Sequence, residues 1–168
     1  MHESCDIDPS RQRASKPELK RAEPPEGHEA HFVPHVNESG ELEVDPWWGV
    51  IQPQQLHPQI KTIGELEMIE HLDNGGRAID TRKTNFVEES GTIPGAVPVP
   101  WEEICDHLDD LDDDGVTVLF CNGPACPATP RAVEKLLESG YPPERLAYYR
   151  GGIQDWMAVG LPMVEAND

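Results

Sequence analysis

Residues 116–137 read VTVLFCNGPACPATPRAVEKLL. The opening five, Val116 to Phe120, are apolar or β-branched and lie between Gly115 and Gly123, which predicts a short buried strand rather than a helix. Cys121 stands at the carboxyl end of that strand. After a loop containing Pro124 and Pro127, Thr129 is placed to cap and Pro130 to open a helix. Its apolar positions Ala132, Val133, Leu136 and Leu137 keep helical spacing until Gly140. The unit is strand, tight loop, helix, with a second cysteine, Cys126, inside the loop.

Working outward, the same alternation repeats. Thr62-Ile63-Gly64-Glu65 has capping-box spacing, and Leu66, Ile69 and Leu72 form the inward stripe of a helix that stops at Asn74-Gly75-Gly76. Ala78 to Thr81 reads as a short buried strand. Ile93 to Pro100 is extended, because Pro94, Pro98 and Pro100 each disfavour helix in the preceding residue. Trp101 to Leu111 reads as a helix with Ile104, Leu108 and Leu111 inward. Leu146 to Tyr149 is another strand, Gly151-Gly152 a turn, and Ile153 to Val159 a last helix. This order predicts an α/β domain with a central parallel sheet flanked by helices. Ligands of such sheets sit at the carboxyl ends of the strands, where Cys121 is.

The chain has 168 residues, enough for one domain, placed at 58–165, and an N-terminal extension, 1–57. Residues 1–27 mix charges and prolines and are expected to be flexible. Within 28–48, His31–Val36 and Glu41–Val44 flank the turn residues 37–40 and predict a small hairpin. Trp47-Trp48 is then an apolar anchor onto the main domain. The net charge of −19 argues against nucleic acid or an anionic membrane as partner. No run approaches a membrane span, and Glu3, Asp6 and Asp8 are unlike the basic start of a signal peptide, so the expected location is the cytoplasm.

Metal and cofactor sites find little support. Residues 110–115 match D-x-D-x-D-G, yet the twelfth position of that calcium loop is Cys121 where a bidentate Glu is required. His28, His31 and His35 have helix-like spacing interrupted by Pro34, and on a strand His31 and His35 stand roughly 13 Å apart. Four cysteines are too few and too irregular for a disulfide scaffold or zinc ribbon.

Cys121 is a different case. A thiol between a strand end and a helix N-terminus faces main-chain N–H groups and the positive end of the helix dipole, which favour thiolate. Pro124, Pro127 and Pro130 carry no N–H, so the available donors are Asn122, Gly123, Ala125, Cys126 and Ala128. Cys126 is either a resolving thiol, able to attack a persulfide and close a disulfide, or a small apolar filler.

Asp80-Thr81-Arg82, Gly91-Thr92-Ile93-Pro94-Gly95-Ala96-Val97, the Cys121 loop, Tyr149-Arg150-Gly151-Gly152-Ile153-Gln154-Asp155-Trp156 and Gly160-Leu161-Pro162 resemble, in order, the signature of single-domain rhodanese-like proteins. The likeness covers about residues 60–164, with Thr92 where the family more often has His. It implies a three-layer α/β fold and a sulfurtransferase. Cys121 then carries sulfur from thiosulfate or a persulfide donor to a thiol or cyanide. Asn122, Gly123, Pro124, Ala125, Cys126 and Pro127 form the substrate cradle, while Asp80, Arg82 and the Gly151-Gly152 turn are structural supports. No cofactor is implied; the implied partners are a small sulfur donor, a thiol acceptor and a thioredoxin-like reductant. Phosphatases of this fold carry a loop arginine where Pro127 stands, so phosphoryl transfer is disfavoured. Basic loop residues are also missing, so thiosulfate is expected to be a poor donor beside a persulfide. A binding or regulatory module and a thiol-disulfide redox protein using Cys121 and Cys126 remain the alternatives.

Overall fold

The computed structural model describes residues 20–31 and 34–166. Residues 1–19 of the tail expected over 1–27, with Cys5, lie outside them, as do Phe32 and Val33 of the segment expected to form the first hairpin strand.

A small antiparallel hairpin comes first. Strands β1 (His35–Val36) and β2 (Leu42–Glu43) pair Val36 with Leu42 around the Asn37 to Gly40 turn. The main sheet has five parallel strands: β3 (Lys61–Thr62), β4 (Ala78–Asp80), β5 (Val97–Pro98), β6 (Thr117–Phe120) and β7 (Leu146–Tyr149), in the order β3-β7-β6-β4-β5. Every residue of β4, β6 and β7 is buried. That is why they read as short, mostly apolar runs without alternation, since helices cover both faces.

Alternation along the strands sorts the core into two layers. Ile79, Leu119 and Tyr148 face one way, packing with Ile104, Ala132, Val133 and Leu136. The last three lie on α3 (Ala128–Glu138). Ala78, Val118, Phe120 and Tyr149 face the other way, against Met68 of α1 (Glu65–Asp73) and Ile153 and Trp156 of α4 (Gly152–Ala158). By the same two-residue period Cys121 follows Leu119 and turns towards the α3 layer.

Several local expectations give way to tertiary context. Thr62 sits on β3 and donates its hydroxyl to the Gln54 carbonyl, so it caps nothing. The N-cap of α1 is Gly64, and the Glu65 carboxylate accepts the Tyr149 hydroxyl instead (3.0 Å). The buried residue of α1 is Met68, with Ile69 and Leu72 half-buried. Leu66, two positions earlier and therefore on the far side of a 3.6-residue turn, is 80 % exposed. The expected helix over 101–111 is two 3₁₀ turns, Trp101–Asp106 and Leu108–Asp110, broken at His107. The break keeps Ile104 and Leu111 buried and turns Leu108 out to 43 % exposure. A helix α2 (Thr84–Ser90), not foreseen, buries only Val87, too little periodicity to be read locally. Thr129 is a buried first-turn residue of α3, its hydroxyl 2.8 Å from that of Thr81, and the cap position is Pro127.

Among the described residues no helix is long and apolar enough to cross a membrane, and no group of His, Cys, Asp or Glu could hold a metal ion.

Candidate active site

The loop 121–127 joins β6 to α3, and its peptide orientations are set from two sides. On one side the first amides of α4 bond its carbonyls: Ile153 N–H to Cys121 (3.0 Å) and Gln154 N–H to Asn122 (2.8 Å). On the other side a strap from the extension does the same, Gln52 N–H to Pro124 (2.8 Å) and Val50 N–H to Ala125 (3.0 Å). The Gly123 carbonyl accepts the Cys126 N–H within the loop (3.0 Å). These bonds fix the loop peptides in place, and the Cys126 N–H, expected as a cradle donor, is taken by the Gly123 carbonyl. Gly152 makes the α4 contact possible: its φ is +58°, and a Cβ there would strike the Cys121 carbonyl. Gly49, at φ +69°, lets the strap approach Ala125 in the same way.

The strap is anchored along its length. Asp45 accepts hydrogen bonds from the amides of Trp47 and His31 (each 2.8 Å) and from the His28 ring (2.9 Å). Burial pushes its carboxyl up, but these donors more than offset that and hold it below the usual range. Arg21, inside the stretch expected to be flexible, donates to the carbonyls of Pro46, Trp48 and Gly49 at 2.7–2.8 Å. Arg150 donates to the Gln52 carbonyl (2.8 Å). Trp48 is buried in one cluster with Cys121, Cys126 and Ala128. It thus provides the anchor expected of the tryptophan pair, while Trp47 stacks edge-on against His28.

Both loop cysteines are free thiols, 1 % and 5 % exposed at positions 121 and 126. Cys121 Sγ donates to the Cys126 carbonyl (3.5 Å). Burial pushes the Cys121 thiol well up, and the neighbouring Cys126 adds to this; the Thr129 hydroxyl and amide offset it only in part. Cys126 moves the other way, to about 7. Its largest stabiliser is a hydrogen bond from Cys121; burial opposes, while the Ala128 and Asn122 amides and the Arg82 charge assist. The Cys121 thiol, expected as a thiolate, sits in a buried environment that disfavours its charge, beside a second thiol whose surroundings favour one. Burial of the strand-end thiol is the physical reason.

A cavity of about 310 Å³ opens above the pair. Its walls include Trp48, Phe86 and Trp101, and Asn122, Cys126, Pro127 and Ala128 line its inner side. Of the expected cradle, Asn122, Cys126 and Pro127 therefore face the cavity. Cys121 does not line it, and Gly123, Pro124 and Ala125 form the back of the loop, Gly123 against Gln154. Three cations, Arg82, Lys83 and Arg131, also line it, an unusual concentration in a chain of net charge −19. The missing basic residues of the loop are thus supplied from β4, α2 and α3. Arg131 lies over the Trp101 ring at 5.2 Å.

Arg82 and Asp80 are fully buried and paired (2.7 Å). The guanidinium also reaches the Ser90 hydroxyl (2.8 Å), the Gly91 carbonyl and the Asn122 side chain (3.3 Å). Thr92, which replaces the more usual His, donates to Asp80 (2.8 Å). This network ties β4 and α2 to Asn122 of the loop, in keeping with the expected supporting role of Asp80 and Arg82.

Sequence reading missed Trp48, Val50, Gln52, Lys83 and Phe86 as site components. Only the paired tryptophans offered a signal, because contacts between residue 48 and residues 121–126 have no local signature.

A family model described as "Rhodanese-like domain" matches residues 66–159. An HTH-type transcriptional regulator of Mycobacterium tuberculosis is 35 % identical over 77 residues, 46 % of this chain. The match covers 33 % of that regulator's own length. Among solved structures, a thiosulfate sulfurtransferase of Pseudomonas aeruginosa superposes with TM-score 0.53 at 23 % identity, covering 64 % of this chain and 20 % of that one. A human single-domain sulfurtransferase superposes with TM-score 0.50 at 23 % identity, over 58 % of this chain and 95 % of its own. These superpositions speak for the fold.

Proposed function

The chain belongs to the rhodanese-like domain family, and on that premise we propose that it is a sulfurtransferase carrying a sulfane sulfur as a persulfide on the loop that Cys121 opens. The observation that supports this most is the pair of adjacent free thiols, with Cys121 Sγ donating to the Cys126 carbonyl, beneath a cation-lined cavity. A loop thiolate attacks the outer sulfur of thiosulfate, the S–S bond breaks, and sulfite leaves with the electron pair; with a persulfide donor the leaving group is a thiolate. An acceptor thiol or cyanide then takes the sulfur and returns the loop thiolate. Loop amides and the cations stabilise the charge on the terminal sulfur. Lys83 and Arg131 favour anionic donors, which supports thiosulfate as a donor beside persulfides.

A second reading, a non-catalytic binding module, draws on one observation: Trp48 covers the pair, leaving each thiol at most 5 % exposed. Intact mass after incubation with thiosulfate, and separately with glutathione persulfide, decides. One added sulfur, lost when both loop cysteines are replaced by Ser, supports transfer; no adduct from either donor supports the module.

A further inference from the structure

Resting on the sulfur-transfer reading with Cys121 as the carrier, we propose that the Tyr148 hydroxyl is a catalytic hydrogen-bond donor, left unpartnered in the resting protein and used by the terminal sulfur anion of the loaded loop.

The first ground is an unmade hydrogen bond. Tyr148 is fully buried in the apolar layer of Ile60, Leu119, Ala132 and Leu136, and among the described residues its hydroxyl has no hydrogen-bond partner. Tyr149, on the opposite face of β7, donates its own hydroxyl to Glu65 (3.0 Å). A buried donor without an acceptor is destabilising, and a phenyl ring would fill the same space without that penalty.

The second ground is place. β7 runs parallel to β6 with Tyr148 opposite Leu119, and both side chains enter the α3 layer. Cys121 stands two residues beyond Leu119 and turns to the same side, about 7 Å further along, a span that a tyrosine side chain covers. The electrostatics agree with this placement. Burial pushes the phenol up, charge on Cys121 pushes it further, and charge on Cys126 adds to both, while Arg150 opposes them. The anions that act on this hydroxyl are thus the two loop sulfurs. A phenol so raised keeps its proton and serves as a donor.

The third ground is what the cradle lacks. The Cys126 N–H is taken by the Gly123 carbonyl, and Pro124 and Pro127 have no N–H to offer. In the resting loop Cys121 Sγ donates to the Cys126 carbonyl (3.5 Å), and the Tyr148 hydroxyl stays idle. A sulfur added through a bond of about 2 Å lengthens the side chain and carries the charge on its outer atom. A donor that finds its acceptor only in that state favours loading over rest.

The step balances without a proton transfer. Cys121–S⁻ and thiosulfate give Cys121–S–S⁻ and sulfite, and the phenol donates a hydrogen bond to the outer sulfur while its O–H bond stays intact.

The test is Tyr148→Phe in the full chain, with Tyr149→Phe as control. Reduced protein is equilibrated with thiosulfate and sulfite at set ratios, and the loaded fraction is read by intact mass. The near-ultraviolet persulfide absorption is followed across a pH series, and Tm is measured on the reduced form. Tyr148→Phe is expected to lower the loading constant about tenfold to a hundredfold, the worth of a hydrogen bond to a charged group. The pH at which the persulfide ionises should rise by about one unit or more, with Tm unchanged or higher. Tyr149→Phe loses the Glu65 bond and should lower Tm while the loading constant stays within about twofold. An unchanged loading constant and persulfide titration in Tyr148→Phe would overturn the proposal and leave sulfur transfer standing, as would a lowered Tm with loading intact. No adduct on wild type from thiosulfate or from glutathione persulfide would sink the sulfur-transfer reading, and this proposal with it.

Discussion

Trp48→Ala tests whether the extension closes the site. The indole is 6 % exposed and packs on Cys121, Cys126 and Ala128. A buried tryptophan removes about 150–250 Å² from water, worth about 4–6 kcal/mol at ~25 cal/mol per Å². Against this, the two main-chain bonds from Val50 and Gln52 contribute about 1 kcal/mol each. Without the indole the strap is therefore held on the domain mainly by those two bonds and by Arg150, and local opening becomes far easier than global unfolding. A loss of about 4 kcal/mol raises an open population nearly a thousandfold at 1.4 kcal/mol per tenfold, and partial compensation by water still leaves at least about tenfold. The assay is iodoacetamide labelling of residues 121 and 126, followed by mass under native conditions alongside a thermal melt. Labelling is expected to accelerate at least about tenfold in Trp48→Ala, with under about twofold change in Trp47→Ala, whose ring packs on His28 instead. Equal labelling of wild type and Trp48→Ala, both folded, would refute the strap as cover.

Arg82→Ala leaves the Asp80 carboxylate buried without its cation and should cost about 3–5 kcal/mol. At about 2–4 °C per kcal/mol for a chain of this size, Tm falls roughly 6–20 °C, and a fall under about 2 °C contradicts the structure. Gly152→Ala places a Cβ against the Cys121 carbonyl at positive φ. Sulfur loading measured by intact mass should drop at least about tenfold while circular dichroism stays native, and unchanged loading would mean that α4 does not set the loop. Arg131→Glu reverses one of the three cavity cations. KM for thiosulfate should rise about tenfold with kcat little changed, and added salt should narrow the gap; equal KM values would remove Arg131 from donor capture.

The strand at 117–120, its terminal cysteine and the following helix were legible because a buried parallel strand has few ways to be written: a short β-branched run between glycines. Ala78–Asp80 and Leu146–Tyr149 were legible for the same reason, and the three together carry the sheet. Boundaries that depend on a partner were not. Thr62 looks like a cap until Gln54 takes its hydroxyl, and Thr129 looks like one until Thr81 does. Leu66 belongs to an inward stripe only if the helix presents that face, and the sheet chose Met68. The choice between the two sulfurs was hidden more deeply. By position alone Cys121 has the better claim, at the strand end and beside the helix N-terminus. Burial beneath Trp48, a residue some seventy positions away on a segment that reads as an appendage, nonetheless pushes this thiol up. The same segment draws the Pro124 and Ala125 carbonyls outward, as α4 does for Cys121 and Asn122. The extension is therefore half of the scaffold that fixes the loop peptides. A motif can designate a nucleophilic loop, but how readily its thiols ionise is set by everything that excludes water from them.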